Sequence, residues 1–365
     1  VAIANTANCK VLALSLIPYT VSRSMSSRSS CLAAKLTYRS NDIYHQFYEQ
    51  DNGEWMLSEA LSNDLKHTEL VPAAYVMFGS KIGKKFSYKA GVRGEFSTVT
   101  LTSSHEKLQK RNNDFFIAPS ISGTYKITGK DELALALSRR TGRPSYPQLN
   151  PYMSMVDAST FEQGNMHLSP EKSSKADLTY SHTGKVFKFF ADAYFNHTAG
   201  YISQISKLED NLLITTYINA ESDIKTGVEL SLSLTPWKWM NASLNANTFY
   251  VNTEGQFEGA DINNRGWSNN SNILLNFFPG KTTDIQLQYF LTSPQYYPQL
   301  TTSLTHQMNV GVKQKLLKGA MNLSVLLTDV FNTHKWEVRS DNALFDLTNI
   351  SHHNSRILWL GITSL

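Results

Sequence analysis

From His67 to the end of the chain, apolar side chains return at every second position. The clearest rows are Leu133, Leu135 and Leu137; Val228, Leu230, Leu232 and Leu234; and Met240, Ala242, Leu244 and Ala246. Further rows are Ile285, Leu287 and Tyr289; Met308, Val310 and Val312; Met321, Leu323, Val325 and Leu327; and Leu358, Leu360 and Ile362. A period of two belongs to a strand whose faces meet different surroundings. The opposite face is mainly Ser, Asn, Gln and Thr, with some charge. Short turns are predicted near Gly83, Gly129, Gly184, Pro236, Gly280 and Gly319. Longer polar loops alternate with them, over Ser103–Asn112, Thr141–Pro170, Asp261–Trp267, Thr292–Leu300 and Asn332–His353. About fifteen strands fit this rhythm, and the last, Ser355–Ser364, returns from a long loop to the tight-turn side.

Such a pattern predicts an all-β, antiparallel, up-and-down transmembrane β-barrel. In hydrocarbon every backbone N–H and C=O must be bonded within the protein, so a sheet survives there only by closing on itself. Spanning strands need about 9–11 residues, and several segments exceed that, whereas globular strands average about five or six. Aromatics gather near strand ends, as interface girdles require: Phe86 and Tyr88, Phe187 to Phe190, Trp237 and Trp239, Phe277 and Phe278, and Trp359. A soluble sandwich, propeller or solenoid also alternates. Against these stand a wet face that is small and neutral, and the lack of any fixed-period repeat.

Composition changes this picture little. Hydrophobic residues make up 41% of the 365, with no long apolar run, and the net charge is only +4. A transmembrane helix is excluded; a barrel, which hides its apolarity in alternation, is not. Nucleic acid is not an expected partner, because no Lys/Arg cluster is interleaved with aromatics. The two cysteines, Cys9 and Cys31, are read either as independent thiols or as a disulfide formed in an oxidising compartment. Residues 1–30 form a poorly legible N-terminal segment and 31–365 the barrel portion. Within the first, Val11–Thr20 reads as a strand and Ser22–Ser30 as a polar turn, with a signal-peptide core over Val11–Ile17 the weaker alternative. His45–Trp55 reads as a loop.

Three motifs carry a resemblance. The loop around Arg143-Pro144, Leu149-Asn150-Pro151, Gly164-Asn165 and Pro170-Glu171 is one. The others are Leu327-Thr328-Asp329-Val330-Phe331-Asn332-Thr333 and Ala90-Gly91-Val92-Arg93-Gly94-Glu95. Together with Ala73–Tyr75 and Gly361-Ile362-Thr363, they resemble the barrel of TonB-dependent receptors in the bacterial outer membrane, from about Cys31 to Leu365. That resemblance implies a non-enzymatic importer of a scarce or bulky nutrient, with outer-membrane lipid around it and no resident cofactor. It also implies an N-terminal plug, an inner-membrane TonB energy-coupling complex, and about 22 strands. Neither a plug nor an energy-coupling motif is found, and the strands are too few, so the expectation is a partial chain carrying the C-terminal two-thirds of the barrel. A passive porin-type or fatty-acid-type channel and a surface-binding scaffold are the alternatives.

Candidate chemistry is sparse. His182, His197 and His306 stand apart, His352-His353 lie in a loop, and no metal-ligand spacing links them. No Gly-x-Ser-x-Gly motif accompanies the many Ser, His and Asp residues. Arg139, Arg140 and Arg143 form the densest basic cluster, read either as a patch for an anionic ligand or plug carboxylates, or as partners of nearby Asp and Glu. Asn150, Pro151, Gly164 and Asn165 are read as shaping the loop, and Asp329, Phe331 and Asn332 as a strand-end cap with an interface aromatic.

Overall fold

The computed structural model describes residues 2–16, 29–51, 53–58, 62–103, 108–342, 344–352 and 354–364. Eighteen strands hydrogen-bond into one sheet. Three of them are short, Glu54–Leu57, Met153–Met155 and Thr160–Gln163, which leaves fifteen long ones. The chain divides into two compact units. Strands Leu108–Lys126, Asp131–Gly142, Glu171–Thr183, Phe187–Glu209 and Leu212–Trp237 contribute residues to both.

In the first unit, Ala2–Leu16, Ser29–Asp51, Asn63–Ile82 and Phe86–Ser103 pair antiparallel in chain order. Along Asn63–Ile82 the two faces separate cleanly. Leu65, His67, Glu69, Val71 and Ala73 are buried, while Leu70, Val76 and Phe78 are exposed. Rings of Phe78, Tyr88 and Phe86 meet at about 6 Å beside the Gly83 turn. The segment His45–Trp55, read as a loop, is strand over residues 45–51 and 54–55: Ser29–Asp51 extends into it, and Gln50 faces Trp55 of the returning strand. Aromatic residues on both faces (Tyr44, Phe47, Tyr48) erase the period-two signal there, although the pairing of His45 with Asn63 persists. The expected first strand is found over Ala2–Leu16; the rest of Val11–Thr20 and most of Ser22–Ser30 lie outside the described residues. Cys31 is a free thiol opposite Met77.

In the second unit the meander continues in chain order from Leu212–Trp237 through Met240–Glu254, Asn264–Phe277, Thr283–Thr292 and Thr305–Leu316. It ends with Met321–Leu327 and Leu358–Ser364. Register aligns the apolar rows across strands. Leu232 faces Leu244, which faces Ile273, then Tyr289, then Met308. A parallel row runs Leu234, Ala242, Leu275, Leu287, Val310, Leu327 and Leu358. Among the described residues of this face, Val228, Ile273 and Leu360 are exposed and the other leucines of the two rows are at most half-buried. On the other face, Asn276 donates to Asn241 at 2.7 Å and accepts from Gln286 at 3.0 Å, a polar chain across three strands. Trp237 stacks on Trp239 and Trp239 on Phe277 at the tight turn between strands.

Two of the long polar loops contain sheet of their own, and a short hairpin precedes the loop expected over Asp261–Trp267. Gln256–Phe257 pairs with Ala260–Asp261. Tyr296–Tyr297, Leu300–Thr302, Trp336–Asp341 and Asp346–Ser351 form a separate four-stranded sheet drawn from two different loops.

Candidate functional site

The stretch from Arg143 to Pro170 is a folded insertion lying within the first unit. Ser145 opens a one-turn helix, Tyr146–Leu149, and Gln148 reaches back to accept from the Ser145 N–H at 2.8 Å. Pro147 suits this first turn, where its missing N–H costs nothing. After Pro151 the chain makes a hairpin, in which Met153 faces Gln163 and Met155 faces Phe161. The hairpin's second strand lies parallel to Leu213–Thr215.

The motif residues close this fold on itself. The Asn165 N–H donates to the Gln148 carbonyl at 2.7 Å, and its side-chain amide donates to the Tyr217 carbonyl at 2.9 Å. Gln163 donates to the Pro151 carbonyl at 2.7 Å, and Asn150 accepts from the Tyr152 N–H at 3.2 Å. A Cβ on Gly164 would stand 2.6 Å from the Asn150 nitrogen, so the two chain segments approach as only glycine allows. Beyond Pro170, Glu171 accepts from the Ile202 N–H at 3.0 Å. Leu149 and Leu168 are thereby buried against Leu65 and Leu101 of the neighbouring strands.

Arg143 anchors the insertion to the wall. Its guanidinium donates to Glu95, which also takes a hydrogen bond from Arg93, and it lies 3.9 Å from Glu69. Glu69 faces Arg39 across the strand pair, 3.2 Å away. Two nearly buried carboxylates are thus threaded between three guanidiniums, and two of the three motifs meet at Glu95. The arginine cluster itself disperses. Arg139 sits over the Phe116 ring at 5.5 Å, and Arg140 remains exposed. Sequence reading paired Arg143 with no particular carboxylate, because Glu69 and Glu95 come from strands far back in the chain.

The third motif forms a turn. Asp329 is fully buried and accepts from the Thr333 and His334 N–H groups, both at 3.0 Å, and from the Ser355 hydroxyl. Asp329 and Asn332 both have positive φ, 43° and 56°, a region that Asp and Asn tolerate. Phe331 is exposed. Burial alone would raise the Asp329 carboxyl, but hydrogen bonds from Ser355, Thr333 and His334 outweigh it and hold the pKa at about 2. A depressed carboxyl stabilises the fold above its ordinary titration range and stops doing so as pH falls through the folded value. Amide exchange in the 328–357 loop is therefore expected to stay slow from neutral pH to about 4. It should accelerate toward pH 2 after correction for intrinsic exchange, and Asp329→Asn should remove that pH dependence. A loop whose protection is flat over that range would show that the carboxylate does not hold it.

His182, read as isolated, is not. It lies 2.6 Å from Asp131, which also accepts from Tyr180 at 2.8 Å and from Thr128, clamping the tight turn at Gly129. Among the described residues no three potential ligand side chains converge on a metal position.

Two kinds of comparison bear on this arrangement. The model of the outer membrane protein beta-barrel family matches residues 31–363. Among solved structures, the ferric yersiniabactin uptake receptor FyuA from Yersinia pestis superposes with a TM-score of 0.64 at 14% identity, over 99% of this chain and 54% of its own. The copper transporter OprC gives 0.72 at 10% identity, over 99% and 59%. The FrpB iron transporter from Neisseria meningitidis (F3-3 variant) gives 0.61 at 12%, over 99% and 55%. At such identities the likeness is one of fold, and the chain spans little more than half the length of each of these proteins.

Proposed function

Since the chain belongs to the outer membrane protein beta-barrel family, we propose that it forms part of the barrel of a TonB-dependent importer in the bacterial outer membrane. The outer-membrane kinship expected from the three motifs is borne out by that membership; the import of a nutrient is our reading. One observation carries it. A folded insertion, tied by Arg143 to two carboxylates and packed through Leu149 and Leu168, covers one face of a wall whose other face exposes Leu70, Val76 and Phe78. A firmly held body of this kind offers the shaped surface that a cargo can grip. Lipid surrounds the apolar rows, and the energy-coupling complex and a plug domain are the proposed partners. The Met153–Gln163 hairpin and the long loops make the ligand contacts, and no catalytic step is assigned.

Uptake separates the readings. The whole parent protein, in a Gram-negative host with and without a working TonB complex, should accumulate one member of a panel of ferric and cupric chelates, cobalamin, oligosaccharides and peptides only when TonB works. Entry independent of TonB would make the barrel a passive channel. Surface binding without entry would make it a scaffold.

A further inference from the structure

Within the second unit, five tight connections join long strands: residues 127–130, 184–186, 238–239, 278–282 and 317–320. Backbone hydrogen bonds tie each to the next. The Thr183 N–H donates to the Lys130 carbonyl at 2.8 Å, and the Thr235 N–H to the Val186 carbonyl at 2.8 Å. The Phe278 N–H donates to Trp239 at 2.6 Å, and the Lys315 N–H to Thr282 at 2.7 Å. The five turns therefore share one end of the sheet. Each carries one lysine (Lys130, Lys185, Lys238, Lys281 and Lys318), and none carries Arg, Asp or Glu. All five lysines are exposed, and none makes an ion pair among the described residues.

Turns that merely solvate a sheet would mix both signs. The long connections of the same unit do mix them, with the opposite balance: residues 255–263, 293–304 and 328–357 hold six Asp and Glu against three Lys and Arg. In the first unit the tight turn at residues 83–85 reads Gly-Lys-Lys. Aromatic rings fix the depth at which the tip lysines stand. Trp237 and Trp239, 54% and 48% exposed, flank Lys238, and the Phe277 ring lies 6.4 Å from that of Trp239. Phe187, two residues past Lys185, is exposed and meets the His182 ring at 5.5 Å. Such rings sit at headgroup level in a membrane, so ammoniums one or two residues away stand among phosphates. Successive tips are two strand spacings apart, roughly 10 Å. No small anion bridges two of them, and the row fits an extended charged surface. An ammonium is a compact charge with rotating donors, suited to phosphates that arrive from any direction.

We propose that this lysine rim binds anionic phospholipid, of the phosphatidylglycerol type, in the leaflet that the tight turns face. Each tip ammonium donates to the phosphodiester oxygens of one headgroup, and the neighbouring rings hold the upper part of its chains. The rim thereby selects the lipids around this end of the protein and fixes its height in the membrane. The inference rests on the place of the barrel in a membrane and is independent of what, if anything, the protein imports.

Bromine on a lipid chain quenches tryptophan on contact, and Trp237 and Trp239 stand beside the tips to report it. The full chain in phosphatidylcholine vesicles, at about 0.01 M salt, is titrated with brominated phosphatidylglycerol or brominated phosphatidylcholine. The anionic lipid should bind about threefold or more tightly than the zwitterionic one. That preference should vanish at about 1 M salt, where screening shortens to about 3 Å. Combining Lys130→Gln, Lys185→Gln, Lys238→Gln, Lys281→Gln and Lys318→Gln should make the two lipids equal, and the matching changes to Arg should keep the preference. Equal quenching by both lipids in the unsubstituted protein overturns the proposal and leaves the tips to an acidic protein. An unchanged preference in the glutamine variant overturns it as well. Should that variant fail to insert, salt alone decides, and a preference that survives about 1 M overturns it. Inorganic phosphate replacing chloride at equal ionic strength should leave the preference intact; its loss there would reassign the tips to a soluble anion.

Discussion

Arg143→Ala is expected to destabilise the folded chain by about 3–5 kcal/mol, the usual cost of removing one partner from a buried ion pair. The side chains of Glu69 and Glu95 are only 8% and 12% exposed, and both lean on this guanidinium. Arg39 still faces Glu69 after the change, but it is half in solvent and compensates weakly. Arg93 retains Glu95, which sets the lower end of the range. Equilibrium urea unfolding in micelles reads the loss as a lower midpoint. Coupling Arg143→Met with Glu95→Gln should recover part of it, because deleting both charges removes the uncompensated carboxylate. A midpoint equal to that of the unsubstituted protein would mean that water already solvates these groups and that the insertion is held by Leu149, Leu168 and its backbone and amide hydrogen bonds to the neighbouring strand.

Leu244→Arg should cost about 2–4 kcal/mol if this row meets lipid near the bilayer midplane. Leu244 sits between Leu232 and Ile273 on the bare apolar face, so a guanidinium there has hydrocarbon around it and no partner. The adjacent Asn245 points to the opposite face, where it accepts from Ser231 at 2.7 Å. Asn245→Arg should accordingly cost no more than a lost exposed hydrogen bond, roughly 0.5–1.5 kcal/mol. Refolding into phospholipid vesicles under urea, compared for the two variants, measures the difference. Equal costs would mean that the two faces of this strand meet the same surroundings.

Much of the wall was legible because its signal is local. Every second residue of Leu133–Leu137 or Val228–Leu234 must satisfy the same surroundings, and each tight turn carries its own turn-former. The strand at His45–Asp51 escaped because Tyr44, Phe47 and Tyr48 place rings on both faces, so the alternation vanishes although the cross-strand hydrogen bonds do not. The four-stranded sheet over residues 296–351 escaped for another reason. Its strands are two to six residues long, below the length at which a period can be counted. Within the candidate site, the turn-formers Asn150, Pro151 and Gly164 announced themselves by residue type. The Glu69–Arg143–Glu95 contacts could not, since their members lie 26 to 74 positions apart along the chain and nothing local ties a charge to its partner. Asp131 and His182 illustrate the same limit, being brought together only by the pairing of their strands.

In the proposed importer the long loops face outward, and there the small sheet shared by the 293–304 and 328–357 loops has a consequence for anything that attacks the cell. Thr301 faces Arg339 and Thr302 faces Val338, so neither loop keeps its shape without the other. An antibody or phage that grips this patch reads a composite epitope that no linear peptide from either loop reproduces. Escape by altering one loop must then be matched in the other, which couples the drift of two stretches of gene that translation order keeps apart.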